Sequence, residues 1–365
     1  MQQSSSSSFP AEAIESLDAL FAAGGLTRHP RQPQALAVRP RRLDRSSAEE
    51  LTPPRPAGIR AANGVEWLPI PGWDLPWLWS GFSTRRGGFS RAYCPEDAPG
   101  ELNLGLTADD DRATVLANRR LLAEAITGDA ETPLAVLRQF HSNRIVDAAS
   151  ADALRPTPGQ ADEHKADGQM TAEPGLLLGV QTADCIPVLV ADRRQRIVAA
   201  FHAGWRGTVK RIVETGIGRM RLCYGSRPQD LMAAIGPGIA ACCYAVGEEV
   251  LAEFESQFAY ARDLFHEVFS SDAIRIKYPL LFLTQRAPGH SPIGPGLHID
   301  LVDANRRQLL DGGLSPQSIQ VVGGCTVCHS DLFFSHRASQ GHAGRMMAVI
   351  GIHQTAKPRS ARRKS

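Results

Sequence analysis

The chain has 365 residues, 43% of them apolar, and a formal charge of +2. That length fits one large domain or two ordinary ones, and the apolar share supports a sizeable core. Near-neutrality argues against a dedicated nucleic-acid binder.

The last eleven residues, TAKPRSARRKS, hold five basic groups and no acid, which leaves the rest of the chain at −3. Residues 355–365 are therefore expected to be a basic, disordered tail. Seven cysteines, an odd number with Cys242 and Cys243 adjacent, do not read as a disulfide scaffold. A reducing, cytoplasmic setting is expected. No apolar run reaches the roughly 18 residues of a membrane span. The N-terminus lacks a basic stretch followed by a long apolar one, so it is a poor secretory signal.

Residues 1–62 are rich in Ser, Pro, Arg and Ala and read as a disordered arm with one short amphipathic segment, 11–23. The body, 63–354, opens with Trp- and Pro-punctuated strands and turns. ELNLGLTADDDRATVLANRRLLAEAI predicts a loop and then a helix with Leu116, Leu121 and Leu122 inward. LAVLRQFHSNRIVDA predicts a hairpin, or a strand with a turn at Ser142-Asn143. LLLGVQTADCIPVLVAD and IVAAFHAGWRGT each carry an apolar run suited to a buried strand, and VKRIVETGIGRMRLCYG follows as an amphipathic helix. LMAAIGPGIAACCYAVG reads as a strand and a Gly-Pro turn. EEVLAEFESQF and HIDLVDANRRQLLDGG read as helices, with IQVVGG and RMMAVIGI as closing strands. Residues 269–297, rich in Pro and Gly, read as an inserted loop. Strands and helices mix without strict alternation, which predicts an α+β layered body in a single catalytic domain.

Three residues stand out chemically. Cys185 follows Thr-Ala-Asp at the start of one apolar run, His202 ends another, and His141 lies beside a polar turn. A lone buried thiol or imidazole is usually a packing residue. Together, however, one Cys and two His form a donor set for zinc, and three protein ligands with an open position mark a catalytic site. The same atoms allow a rival arrangement, with Cys185 as nucleophile and His202 as its base. Cys325-Thr-Val-Cys328-His329 matches the spacing of a haem attachment, which the absence of an export signal argues against. A second zinc site on Cys325, Cys328 and His329 is the other reading, and Cys242 and Cys243 read as packing or loop residues.

TADCIPVLVAD, HAGWRGT, AAIGPGIAACCYAVG and FFSHRASQGHAGR, with FSTRRGGFS, ELNLGL, NRRLLAEAI, RQFHSNRI and DLVDANRRQLL, together resemble the laccase-domain family. Its members, formerly called multicopper polyphenol oxidases, are now described as purine nucleoside phosphorylases. The resemblance runs from about residue 78 to 352. It implies a layered αββα sandwich with mixed sheets, and zinc, with copper as the other metal, held by His141, Cys185 and His202. It also implies phosphorolysis of adenosine, inosine and S-methyl-5′-thioadenosine, adenosine deamination, and therefore purine nucleosides and inorganic phosphate as partners. Phenol oxidation is discounted, because one Cys and two His leave no histidine-rich set for a copper cluster. The chain departs from the family pattern at Phe140-His141-Ser142 and at His336.

Phosphorolysis needs a phosphate clamp, for which guanidinium groups have the matching geometry. Arg206, Arg86 and Arg337 are the expected holders, with Asn103 orienting the ribose. Asp184 is expected to accept a proton or to fix a histidine. A Cys–His hydrolase and a non-catalytic, metal-dependent binding protein are the two alternatives.

Overall fold

Strand parity decides which side chains meet, because successive residues of a strand face opposite ways. The computed structural model describes residues 41–43, 51–148, 165–268 and 296–354. Strands β1 (Arg41–Leu43), β2 (Ile59–Arg60), β3 (Glu66–Leu68), β4 (Leu78–Ser83) and β5 (Arg86–Ser90) precede helix α1 (Arg112–Thr127). Next come β6 (Leu134–Val136), β7 (Ile145–Asp147), β8 (Gly168–Thr171), β9 (Leu177–Thr182), β10 (Ile186–Asp192) and β11 (Ile197–Ala203). Helices α2 (Trp205–Val209) and α3 (Ile212–Tyr224) lead to β12 (Leu231–Ile235), β13 (Ala245–Val246) and α4 (Glu248–Gln257). The described chain closes with β14 (Phe265–Val268), β15 (Gly296–Ile299), α5 (Leu301–Asp311), β16 (Ile319–Val321) and β17 (Met346–Ile352).

Two six-stranded sheets form the body, ordered β16-β12-β10-β11-β8-β7 and β2-β3-β4-β17-β9-β6. A small third sheet has the order β1-β14-β15-β13. In the first large sheet Leu189, Ala191, Val198, Ala200, Met232 and Ala234 face the second. There they meet Phe82, Leu178, Val180, Ala348 and Ile350. The alternate residues of the same strands, including Val188, Val190, Ala199, Phe201 and Ala233, pack outward on α3, α4 and α5. On the far side Leu177, Met347 and Val349 pack on α1. The layers are thus helix, sheet, sheet, helix, as expected. Strands whose two faces are both covered must be apolar at every position, which is why β10 and β11 read as continuous runs. Gly216 of α3 lets this layer close, because a Cβ there would lie 2.2 Å from the Phe201 ring.

Several local expectations change. The segment 134–147 is no hairpin: β6 joins the second sheet beside β9 and β7 joins the first beside β8. Helix α1 starts at its cap Asp111 but turns Val115, Asn118, Arg119, Leu122 and Ala123 inward, leaving Leu116 exposed. Polar Asn118 belongs inside because it binds Ser90 Oγ, the carbonyl of Asn103 and the amide of Phe89. The helix expected from Val209 starts only at Ile212, separated from the short α2 by Arg211 in a left-handed conformation (φ 58°). The structured body also reaches further back than residue 63. β2 pairs with β3, Arg55 forms a paired salt bridge with Asp331, and β1 pairs with β14. The 11–23 segment, the 269–295 part of the expected insertion and the basic tail lie outside the described residues. Gly296 and Leu297, expected in that insertion, belong to β15. No described helix is long and apolar enough to cross a membrane.

Candidate metal centre and cleft

Both loops that leave the second sheet for the first at one end of the sandwich carry a predicted ligand. Residues 137–144 join β6 to β7 and bear His141; residues 183–185 join β9 to β10 and bear Cys185. His202 comes from β11, opposite Pro187 of β10. The donor atoms of His141, Cys185 and His202 all lie within 4.8 Å of one another. The Cys185 sulfur is 3.8 Å from His141 Nε2. Gly204, next along from the Ile186–Ala203 pair, lies against Cys185. A Cβ there would stand 2.7 Å from its sulfur and 3.1 Å from His141 Cδ2. Glycine is needed for space here, since its φ of −67° suits any residue.

Asp167, at the entrance to β8, organises the trio and was not among the expected residues. Its carboxylate accepts the backbone N–H of His141 at 2.9 Å and of Ser142 at 2.7 Å, with Phe140 N at 3.2 Å. It also accepts the Ser142 hydroxyl at 2.7 Å and His202 Nδ1 at 2.9 Å. Three consecutive amides pointed at one carboxylate hold His141 at φ 62°, a left-handed conformation that side-chain-bearing residues resist. With Nδ1–H given to Asp167, His202 Nε2 is left for a metal or a thiol. Burial raises the Asp167 carboxyl, but the His202 and Ser142 hydrogen bonds outweigh it and bring it down to about 2. Burial likewise pushes the Cys185 thiol up, yet the facing His202 and His141 imidazoles pull it down to about 6. His202 is disfavoured as a cation by burial and nonetheless rises to about 9, chiefly through Cys185 and Asp167.

A cleft of about 490 Å³ opens over the trio. Four arginines line it: Arg138, Arg206, Arg337 and Arg345. Arg206 lies over the Trp205 ring at 4.4 Å, and Arg337 over Tyr244 at 5.3 Å while donating to the Ala245 carbonyl. Burial pushes the Tyr244 phenol up to about 12, so it stays protonated and can donate. His336 also reaches the cleft.

Two expected contacts do not reach it. Arg86 lines another depression and is taken up by Asp331 at 2.8 Å and Glu66 at 3.4 Å. Asn103 is fully buried, binding Asp110 and the Gly105 carbonyl, and supports the cleft only by accepting the Arg345 amide. Asp184 lines the cleft, but its oxygens are committed to the Thr326 hydroxyl (2.5 Å) and the Arg337 amide (2.7 Å). Its geometry suits holding the cleft wall better than moving a proton. His329 is not part of the cysteine cluster that Cys325 and Cys328 form, which Cys242 and Cys243 complete.

Purine nucleoside phosphorylase YlmD of Bacillus subtilis is 32% identical over 279 residues, 75% of this chain and 88% of the relative. A protein named adenosine deaminase RL5, from an unknown prokaryotic organism, is 33% identical over 271 residues, 74% and 92% of the two chains. The crystal structure of YlmD from Geobacillus stearothermophilus superposes with a TM-score of 0.62 at 30% identity, covering 82% of this chain and all of that one. The family profile described as multi-copper polyphenol oxidoreductase laccase matches residues 79–353. With three quarters of its length matched, and the same fold in a solved relative, the chain belongs to that laccase-domain family.

Proposed function

We propose that the chain is a zinc-dependent purine nucleoside phosphorylase acting on adenosine, inosine and S-methyl-5′-thioadenosine, with adenosine deamination as a side activity. The observation that carries the reading is one thiol and two imidazoles at the floor of a cleft ringed by arginines. The donor set fits zinc: the thiol is already acidic, and a carboxylate fixes the His202 tautomer. Zinc, when bound, supplies Lewis acidity at an open coordination position.

The chain's own residues account for the rest. In phosphorolysis a phosphate oxygen forms a bond to C1′ of the sugar as the bond to the purine nitrogen breaks, giving a sugar 1-phosphate and the free base. Arg206 and Arg337, with Arg138 and Arg345, are the phosphate holders, because bidentate guanidinium contacts suit phosphate. Both Arg206 and Arg337 are stacked on rings, which keeps their planes fixed for that contact. Tyr244, protonated and lining the cleft, is a hydrogen-bond donor available to the substrate. Asp184 positions Arg337 through its backbone amide. The cleft volume is in the range for small-ligand sites.

A second reading has an observation behind it. Cys185, His202 and Asp167 form a thiol–imidazole–carboxylate relay that would serve a nucleophilic hydrolase. His141 weighs against it, since a second imidazole on the same sulfur has no task in that mechanism and a clear one as a ligand.

The test is incubation of metal-analysed protein with adenosine, with and without phosphate, resolving adenine from inosine. Cys185→Ala and a chelated sample run alongside. Adenine that requires phosphate and is lost with the metal supports the phosphorylase. Inosine formed without phosphate supports the deaminase. Zinc-loaded protein that forms neither product refutes the nucleoside reading, and thiol-dependent activity that survives chelation favours the hydrolase.

A further inference from the structure

We propose that Cys242, Cys243, Cys325 and Cys328 form a second metal site, a four-thiolate zinc staple outside the catalytic cleft. Their sulfurs all lie within 4.8 Å of one another. Cys328 Sγ is 3.7 Å from Cys242 Sγ and 3.5 Å from Cys243 Sγ. Sulfurs bound tetrahedrally to zinc at about 2.3 Å stand roughly 3.8 Å apart. A disulfide would instead need about 2.05 Å, and a single pairing would strand the other two thiols. The spacing is thus that of a coordination shell.

The cluster is assembled from distant chain segments. The loop after β12 supplies the adjacent pair and the turn after β16 supplies Cys325 and Cys328, with Gly238 and Cys325 joined by a backbone bridge. Cys325 is fully buried, Cys242 and Cys243 half-buried, and Cys328 exposed, so an ion has both a dry interior and an entry side. The backbone at Ala240 and Cys328 donates to the Cys325 sulfur, and the Thr52 hydroxyl reaches Cys242. Such donors stabilise thiolates. On binding, each thiol gives its proton to solvent and its sulfur lone pair to Zn2+.

The position explains what a staple would do. Thr326, between Cys325 and Cys328, donates to Asp184 beside Cys185, and Cys243 precedes Tyr244 of the cleft wall. Clamping the two loops fixes that wall without touching substrate.

Elemental analysis and cobalt substitution test the proposal on the full-length protein. The parent should carry about two zinc equivalents per chain, and Cys185→Ala and Cys328→Ser about one each. Cobalt bound by Cys185→Ala should show the intense charge-transfer and visible bands of a tetrahedral tetrathiolate. Cys328→His should retain the metal with a shifted spectrum, which separates loss of a ligand from loss of folding. The melting temperature of Cys185→Ala should fall when a strong chelator is added. The proposal is overturned if folded Cys185→Ala holds no zinc and takes up no cobalt, or if its cobalt spectrum lacks thiolate bands. Counting free thiols in the denatured, unreduced protein is the independent check: a disulfide among these four residues also overturns it.

Discussion

Asp167→Asn keeps the shape of the side chain and removes its charge, so it isolates what the carboxylate does. The parent carboxylate receives donors from Phe140, His141, Ser142 and His202. An amide has one acceptor oxygen and turns an NH2 toward the remaining donors. If the oxygen keeps His202 and His141, the NH2 confronts the Ser142 amide; if it is flipped, His202 loses its partner. The Ser142 hydroxyl can rotate, but a backbone N–H cannot. Removing one partner from a buried charged network costs about 3–5 kcal/mol. At about 2–4 °C per kcal/mol for a domain approaching this size, the melting temperature should fall by roughly 10 °C. With the His202 tautomer and the left-handed turn at His141 both loosened, zinc affinity should fall about 10- to 100-fold. Differential scanning calorimetry and titration against a chelating dye measure the two effects. The variant makes a third reading possible. His202 loses part of what raises its pKa, so the Cys185 thiol in the metal-free protein should move up from about 6. Affinity within about threefold of the parent, together with an unchanged melting temperature, would refute the role given to Asp167.

The other predictions concern the same end of the sandwich. Gly204→Ala places a methyl group 2.7 Å from the Cys185 sulfur, so zinc content and turnover should fall together while the fold, followed by circular dichroism, persists. Arg206→Ala and Arg337→Ala should each raise the KM for phosphate about 10- to 100-fold, the loss of one charge-assisted contact of about 1.5–3 kcal/mol. Arg86→Ala should leave that KM unchanged, because its partners are Glu66 and Asp331. In the metal-free parent, alkylation of Cys185 should rise with pH through about 6, far below the ordinary thiol value of 9.0, and added zinc should suppress it; a midpoint near the ordinary value would be the contrary result. The Asp167 carboxyl is depressed from 3.8 to about 2, so its stabilising contribution is whole above pH 3.8 and lost as pH falls through 2. Denaturation midpoints measured between pH 5 and 2 should show that fall in the parent and a shallower one in Asp167→Asn.

What the sequence made legible follows from range. Buried strands could be expected because the runs IPVLVA and IVAAF are apolar at every position, as a sheet covered on both faces demands, whereas the αββα layering was implied by the resemblance to the laccase-domain family. The ligand trio was readable because cysteine and histidine are chemically distinctive even when 44 residues apart, as His141 and Cys185 are. Asp167 was not, since a single carboxylate before Gly168 has neither periodicity nor spacing to mark it. Arg86 misled for the same reason in reverse. Expected as a phosphate holder, it lies in strand β5, and the aspartate that neutralises it is 245 residues away. The four-cysteine cluster was half visible, as Cys-x-x-Cys; its other half lies some 85 residues earlier.

Two of the five described non-glycine residues with positive φ lie at the candidate metal centre, and the topology explains why. His141 (φ 62°) and Asp184 (φ 93°) lie in the two crossovers that carry the chain from the second sheet to the first. The β9–β10 crossover has only residues 183–185 to span the layers, so its backbone must turn sharply where Cys185 leaves the sheet. A non-glycine residue held in that region costs on the order of 1–3 kcal/mol. Each cost is offset locally: three amides converge on Asp167 around His141, while Thr326, Arg337 and the Ile239 amide hold Asp184. A looser crossover would relieve the strain, but it would let the thiol and the imidazoles drift apart by more than a metal's coordination shell tolerates. Ligand positions in this fold are therefore set by the shortness of the connections and by the buried carboxylates that brace them, more than by the ligands themselves.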